Sequence, residues 1–536
     1  MKSVYKCLFV LLAVVVFIPF NVNATTSTTY VNIETSEISF DGKTYESITK
    51  YDTLEEFLEN YNSNKLPEIY LTSFLFDGVS SVKTPDLDDF IESDSNNTKV
   101  KTLNIDVLNI CAVGNVELTG KATGFMVAVN TNGLKGNLNV ILNNVDIDTD
   151  SKKAPAIYVY NKDITYTDCI VTIKTKTGTN NFVEGGKFKK VSLMPSDKLA
   201  SYTSYYSGDA LSNYEKYSSY YGVYTASELD NILFATVKAD REDLQDGDPY
   251  YFYKGSGAIS SDIDLYFEGE GYLKVTSKNK EGIETKGNLT FSGGTGDYEI
   301  FAQDDCLNTT TASSAGNNVR NSLTIDVTSL VAIVSDEGDE GDAIDSNGSL
   351  TINGGNIYAF AHGESGDAGL DSETGTYING GEVIATGNMA DRVASESTQR
   401  YIYVNFKAKI EKDTLIVIKD ENDKIITAFK TSKDMSTLLY SSEDLEYDSF
   451  KIYSGGVISG TETNGLYTKI DSYEGGSELE YSEASMFGGL KNQNRSQNEN
   501  SFILKMLIGE VAALALVGVY CLCDNYLIKK KNKSKD

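Results

Sequence analysis

Apolar and polar residues alternate along most of the chain between about Val100 and Gly387. The segments KTLNIDV, VELTGKA, LNVILNNVDID, AIYVYN and DCIVTIKTKTG place Val, Ile or Leu at every second position. They break at Asn, Asp and Gly, which predicts short strands with one buried face. One unit recurs: EGIETKGNLTFSGG at Glu281–Gly294, DAIDSNGSLTINGG at Asp342–Gly355 and AGLDSETGTYINGG at Ala368–Gly381. A broken copy has DCLN at Asp305–Asn308, with SLTIDV further on. The central residues Ile283, Leu307, Ile344 and Leu370 follow at intervals of 24, 37 and 26. Two intervals suit one turn of a coil, and the longest suits a turn carrying a loop. A unit too short to bury its own apolar face must stack on its neighbours. The pattern therefore predicts an all-β chain built on a right-handed parallel β-helix, a solenoid over residues 101–400.

The flanks differ. Residues 25–100 hold the alternating VNIETSEISF and then TLEEFLENY, where Thr53 and Glu56 form a capping-box pattern. They predict an N-terminal α/β cap. In residues 401–470, TLIVIKDENDKIITAFK is a strand, an Asp-rich turn and a strand, predicting a C-terminal β cap. Residues 196–248 interrupt the strands with eight tyrosines between Tyr202 and Tyr224. Such an insertion emerges on one face of a solenoid and often carries binding, which makes Tyr205, Tyr206, Tyr220 and Tyr221 candidate contact residues. Packing against the coils is the competing role.

Both ends carry targeting patterns. Residues 1–24 have Lys2 and Lys6, an apolar run and a terminal Ala24, as in a secretory signal peptide. Residues 471–501 are polar and Gly/Ser/Asn-rich, predicting a flexible stalk. Residues 502–528 are mostly apolar and precede the basic tail 529–536, predicting one C-terminal transmembrane helix with a cytoplasmic end. The expected protein is a single-pass, cell-surface protein with an extracellular N-terminal part.

The formal charge of −30 repels nucleic acid, and it repels acidic partners unless a divalent cation intervenes. Cys111, Cys169 and Cys306 are an odd, widely spaced set, so free thiols are expected in place of a disulfide framework. The single histidine, His362, leaves almost no room for Ser-His-Asp, His-zinc or His-base chemistry and is expected to be a loop residue.

Aligning the repeats on their central residue stacks acids at two positions. Two residues before it stand Glu281, Asp305, Asp342 and Ala368; one residue after it stand Glu284, Asn308, Asp345 and Asp371. Adjacent strands lie about 4.8 Å apart, so such carboxylates repel unless a cation binds. Calcium accepts six to eight oxygens in irregular geometry, and Asp304, residues 336–340 and Asp367 are further donors. Asx turns at the corners are the structural alternative. The Gly pairs 293–294, 354–355 and 380–381 are expected to be turns needing positive φ.

The order GKATGFMVAVN, LNVILNNVDI, APAIYV, GDPYYFYKGSGAIS, the repeats, and TLIVIKDENDKIITAFKTSKDMSTLLYSSEDL resembles a clostridial-type carbohydrate-binding domain-containing family. The resemblance covers about Asn104 to Gly456 apart from the Tyr-rich insertion. It implies a pectate-lyase-like β-helix with calcium in its coils, on an extracellular protein that binds acidic plant-type polysaccharide. Carried over by position, the calcium residues are Asp305, Asp342, Asp345 and Asp371, with Glu281 and Glu284 one repeat earlier. Only Asp304-Asp305 keeps the family's paired acids, and Asn308 and Ala368 stand where acids are expected. Binding through calcium and without catalysis is the leading expectation, with Tyr205, Tyr206, Tyr220 and Tyr221 stacking on sugar faces. The runner-up is a calcium-assisted polysaccharide lyase using Arg320, Arg392 or Arg400 as base. A surface protein with purely structural calcium is the third.

Overall fold

The computed structural model describes residues 27–484 apart from 75–90, 95–96, 101–104, 132, 162–167, 188–256, 315–316, 446–448 and 464. The signal segment, the Tyr-rich insertion with its four candidate tyrosines, and residues 502–528 lie outside the described residues.

Period-two alternation does set the core. Tyr272–Ser277 and Asp297–Ala302 bury every second side chain. Leu273, Val275 and Ile300 point inward, where they meet Leu289, Leu323, Ile325 and Ile344 in one cluster of buried residues. Inside it, Phe267 and Phe291 stack at 4.7 Å and Tyr298 sets its edge on Phe291 at 5.0 Å. Both phenylalanines are fully buried.

Two large sheets enclose this core. One has ten strands and runs from Leu370–Ser372 through Ile344–Ser346, Leu307–Thr309, Ile283–Thr285 and Ile259–Ser261 to the N-terminal strands Ile69–Thr72 and Lys50–Tyr51. Its repeat strands are parallel, and Ile259, Ile283, Leu307, Ile344 and Leu370 are successive register partners. The 37-residue interval holds an antiparallel hairpin, Thr311–Ser314 with Asn317–Arg320. The other sheet is larger, and its strand order closes on itself as a barrel.

That closure corrects the expected open right-handed parallel β-helix solenoid. Long strands cause it, because each belongs to two neighbouring columns. Leu323–Val334 pairs with Leu289–Phe291 through its first residues and with Asp297–Ala302 through its last, with register shifts around Asp326. Gly136–Asp148 likewise pairs with both Cys169–Thr175 and Asn180–Gly185. The sequence suggested separate short strands, but irregular positions inside continuous ones join the columns into one closed sheet.

The flanking segments are stitched into these sheets. Thr28–Asn32 pairs in parallel with Gly114–Thr123, and the expected helix forms at Leu54–Asn62. Its N-cap is Thr53, whose side chain accepts from the Glu56 N–H at 3.3 Å. At the other end, Met435–Ser441 pairs antiparallel with Glu382–Gly387 and with Tyr401–Ile410. The Asp-rich hairpin, Leu415–Asp420 with Ile425–Lys430, belongs to a six-stranded antiparallel sheet. Strand pairing continues to Tyr481–Glu483, inside the stretch expected as a stalk.

The expected transmembrane helix and single-pass surface location gain no support from the described residues. No helix among the described residues is long and apolar enough to cross a membrane. Residues 502–528, which carried that expectation, are outside the described set.

Of the glycine pairs, Gly293, Gly294, Gly355 and Gly381 have positive φ. Gly354 and Gly380 instead lie where a Cβ would press on the Asp326 carboxylate and the Asn353 carbonyl. Cys111, Cys169 and Cys306 are free thiols.

Candidate metal centre

The parallel register builds a ladder on the ten-stranded sheet. Because Ile283, Leu307, Ile344 and Leu370 are partners, the next residues, Glu284, Asn308, Asp345 and Asp371, are also partners. Two residues before each centre, Glu281, Asp305 and Asp342 enter the same strands from their corners. In-register stacking thus places side chains about 4.8 Å apart along the sheet.

Three carboxylates converge. Asp342, Asp345 and Asp371 each offer an oxygen within 4.8 Å of the others. Asp305 adjoins them: its Oδ1 accepts from the Asp342 N–H at 2.8 Å. Its Oδ2 accepts from Asn308 Nδ2 at 2.5 Å, and the same amide donates to Asp345 Oδ2 at 3.1 Å. Asp342 Oδ1 accepts from the Ala368 N–H at 2.6 Å. No ion pair among the described residues takes Asp305, Asp342, Asp345 or Asp371. Desolvation and mutual repulsion consequently favour the neutral acids. Burial first, and then neighbouring carboxylates, push Asp342 up to about 8 against the one opposing bond from Ala368. The same causes push Asp345 up to about 7 and Asp371 up to about 6. Asp305 is driven well above the usual carboxylate range, mainly by burial.

The remaining expected ligands are placed differently. Asp304 Oδ2 accepts from Lys280 Nζ at 2.6 Å. Asp367 Oδ2 accepts from the Gly341 N–H at 2.7 Å and closely from Ser365 Oγ, so it holds a loop together. Glu281 and Glu284 stand one repeat earlier on the ladder, with Glu284 buried.

Two residues of the cluster were not among the ligands expected from the repeat alignment. Asp391 follows the last repeat, is buried, and bonds to Asp371 while accepting from the Ser372 N–H at 2.8 Å. No repeat position marks it. Asn308 stands out only as an amide where an acid was expected. Its Oδ1 is buried without a hydrogen-bond partner. His362 lies in the loop after Ser349–Phe360, where it is buried, and its Nδ1 accepts from the Ser365 N–H at 3.1 Å.

The donor set suits a hard divalent cation. It is all oxygen, gathers acidic groups that no lysine or arginine pairs among the described residues, and includes a buried amide oxygen without a partner. Turning the Asn308 amide over would aim that oxygen at the carboxylates, and the two orientations are nearly isosteric.

A family model described as "Carbohydrate-binding domain-containing protein" matches residues 218–446, which include the repeats and most of the hairpin-rich C-terminal part. The match supports a carbohydrate-binding role. No curated protein and no solved structure matches the chain.

Proposed function

We propose that this protein binds acidic, uronate-containing polysaccharide through calcium, without catalysis. The observation that carries the reading is the uncompensated convergence of Asp342, Asp345 and Asp371 inside the segment that matches a carbohydrate-binding family. These three, with Asp305 and the Asn308 amide oxygen, would hold the ion. Calcium there would neutralise the cluster and leave coordination positions for glycan carboxylates, which lets an acidic protein hold an acidic chain. The surrounding residues position the ligands: the Ala368 N–H orients Asp342, and the Asp342 N–H orients Asp305. For the lyase alternative, Arg320, one of the three candidate bases, is tied to Glu373 at 2.6 Å.

The test is retention of the full chain on immobilised polygalacturonate with millimolar calcium and again with chelator. Calcium-dependent retention, lost in the Asp342→Asn, Asp345→Asn double variant, is the expected result. Equal retention with chelator would remove calcium from the reading. No retention in either condition would remove uronates.

A further inference from the structure

Away from the acidic ladder, the closed sheet presents an outward face with a composition that the fold does not require. Asn180–Gly185, Tyr272–Ser277 and Asp297–Ala302 lie side by side in parallel register. Lys274 pairs with Phe182 on one side and Glu299 on the other, so it stands at the centre of the three strands. Phe182 is 42% exposed, although alternation should place a polar residue there. Tyr272 meets Phe182 edge to face at 6.1 Å, and its hydroxyl donates to Glu299 at 2.8 Å. Lys274 Nζ lies over the Phe301 ring at 4.6 Å. Three aromatic rings are therefore spread over three adjacent strands, with polar groups between them.

The next strand of the same column is treated differently. Val331, the register partner of Glu299, is buried beneath the C-terminal strands, together with Tyr358 and Ile384. Where this column faces protein, its outward residues are aliphatic or aromatic. On the three open strands they mix ring faces with hydrogen-bonding groups. That mixture suits a ligand with apolar C–H faces and many hydroxyls, which is the surface of a sugar.

Charge narrows the class. Glu184, Asp297 and Glu299 on this face outnumber Lys274, and Glu184 is itself closely paired with Lys278. A uronate would be repelled here, whereas neutral hydroxyls would find acceptors. The face is sheet-like across three strands, which favours an extended chain over a coiled one. Two of the three strands fall inside the match to the carbohydrate-binding family. We propose that Phe182, Tyr272 and Phe301, with Lys274 and Glu299 between them, form a calcium-independent site for a neutral, β-1,4-linked glycan chain. This inference rests on the carbohydrate-binding reading but not on its calcium or uronate parts.

The rings could instead serve only as cross-strand packing, and the experiment separates the two roles. Binding of the full chain to hydroxyethyl cellulose and to neutral arabinoxylan is measured in chelator by affinity electrophoresis, with dextran as the coiled α-linked control. The expected result is retardation by a β-1,4-glycan that persists in the Asp342→Asn, Asp345→Asn variant. It should weaken at least tenfold in Tyr272→Ala with Phe301→Ala. Phe182→Ala, at the most exposed ring, supplies a variant whose folding is not at stake, and it should weaken binding severalfold. Retention on calcium–polygalacturonate reports the other site in every variant. Failure of that retention alone would refute the calcium reading and leave this one standing. No binding to either β-1,4-glycan, equal binding of dextran, or unchanged binding in both ring variants would overturn the present proposal.

Discussion

Asn308 occupies a ladder position otherwise filled by Glu284, Asp345 and Asp371. An amide there lowers the local negative charge while keeping an oxygen available. Its nitrogen faces Asp305 and Asp345, and its oxygen is buried with no partner. The cost falls on the folded state, and so does the cost of ionising the cluster. Asp371, Asp345 and Asp342 are pushed up to about 6, 7 and 8 in the fold, above the ordinary value of 3.8. The folded chain therefore keeps protons that the unfolded chain releases. Linkage then makes stability fall as pH rises from about 4 to about 8. In chelator, urea unfolding should show the protein less stable at pH 8 than at pH 5 by something of the order of 3 kcal/mol, since the groups relieve one another as they protonate. Asp342→Asn with Asp345→Asn should flatten that dependence. Calcium should restore stability mainly at the higher pH. Stability that instead rises with pH in the metal-free protein would show that these carboxylates are not the strained groups.

At the level of the strand, the stack of Phe267 on Phe291 links neighbouring repeats within the closed sheet. Both side chains are fully buried and Tyr298 closes one edge, so truncation leaves a cavity that parallel strands cannot collapse into. Phe291→Ala should cost about 3–5 kcal/mol, measured as a shift of the urea midpoint at unchanged slope. A loss below about 1 kcal/mol would mean that the ring is not a packing element. These inward residues were legible in the sequence because period-two alternation decides which face is buried. The register was legible too, since Ile283, Leu307, Ile344 and Leu370 align on shared corner chemistry. The joining of columns was not. Leu323–Val334 appears in sequence as two short apolar segments around Asp326 and Thr328. Only the pairing of both halves with successive strands shows one bent strand. Sheet closure depends on such irregular positions, and residue type marks them weakly.

The same limit applies to the molecule and its site. Three converging carboxylates, Asp342, Asp345 and Asp371, were legible because repeats bring equivalent positions together. Asp391 comes from beyond the last repeat and reaches Asp371 through tertiary packing alone. The open aromatic face was illegible for a related reason: outward positions on every strand look alike until it is known which strands the C-terminal part covers. That cover has its own consequence. Val331, Tyr358 and Ile384 point away from the main core and are buried by Val404, Leu438 and Tyr440. Met435–Ser441 also occupies the edge of Glu382–Gly387. Removing residues 401–484 would expose an apolar column and an unpaired strand edge together, the combination that promotes edge-to-edge association. A chain ending at residue 400 should therefore self-associate in light scattering and bind a hydrophobic dye, under conditions where the full chain does neither. A truncated chain that stayed monomeric and dye-silent would mean that the C-terminal strands are not needed as cover, and their conformation would then call for a separate role.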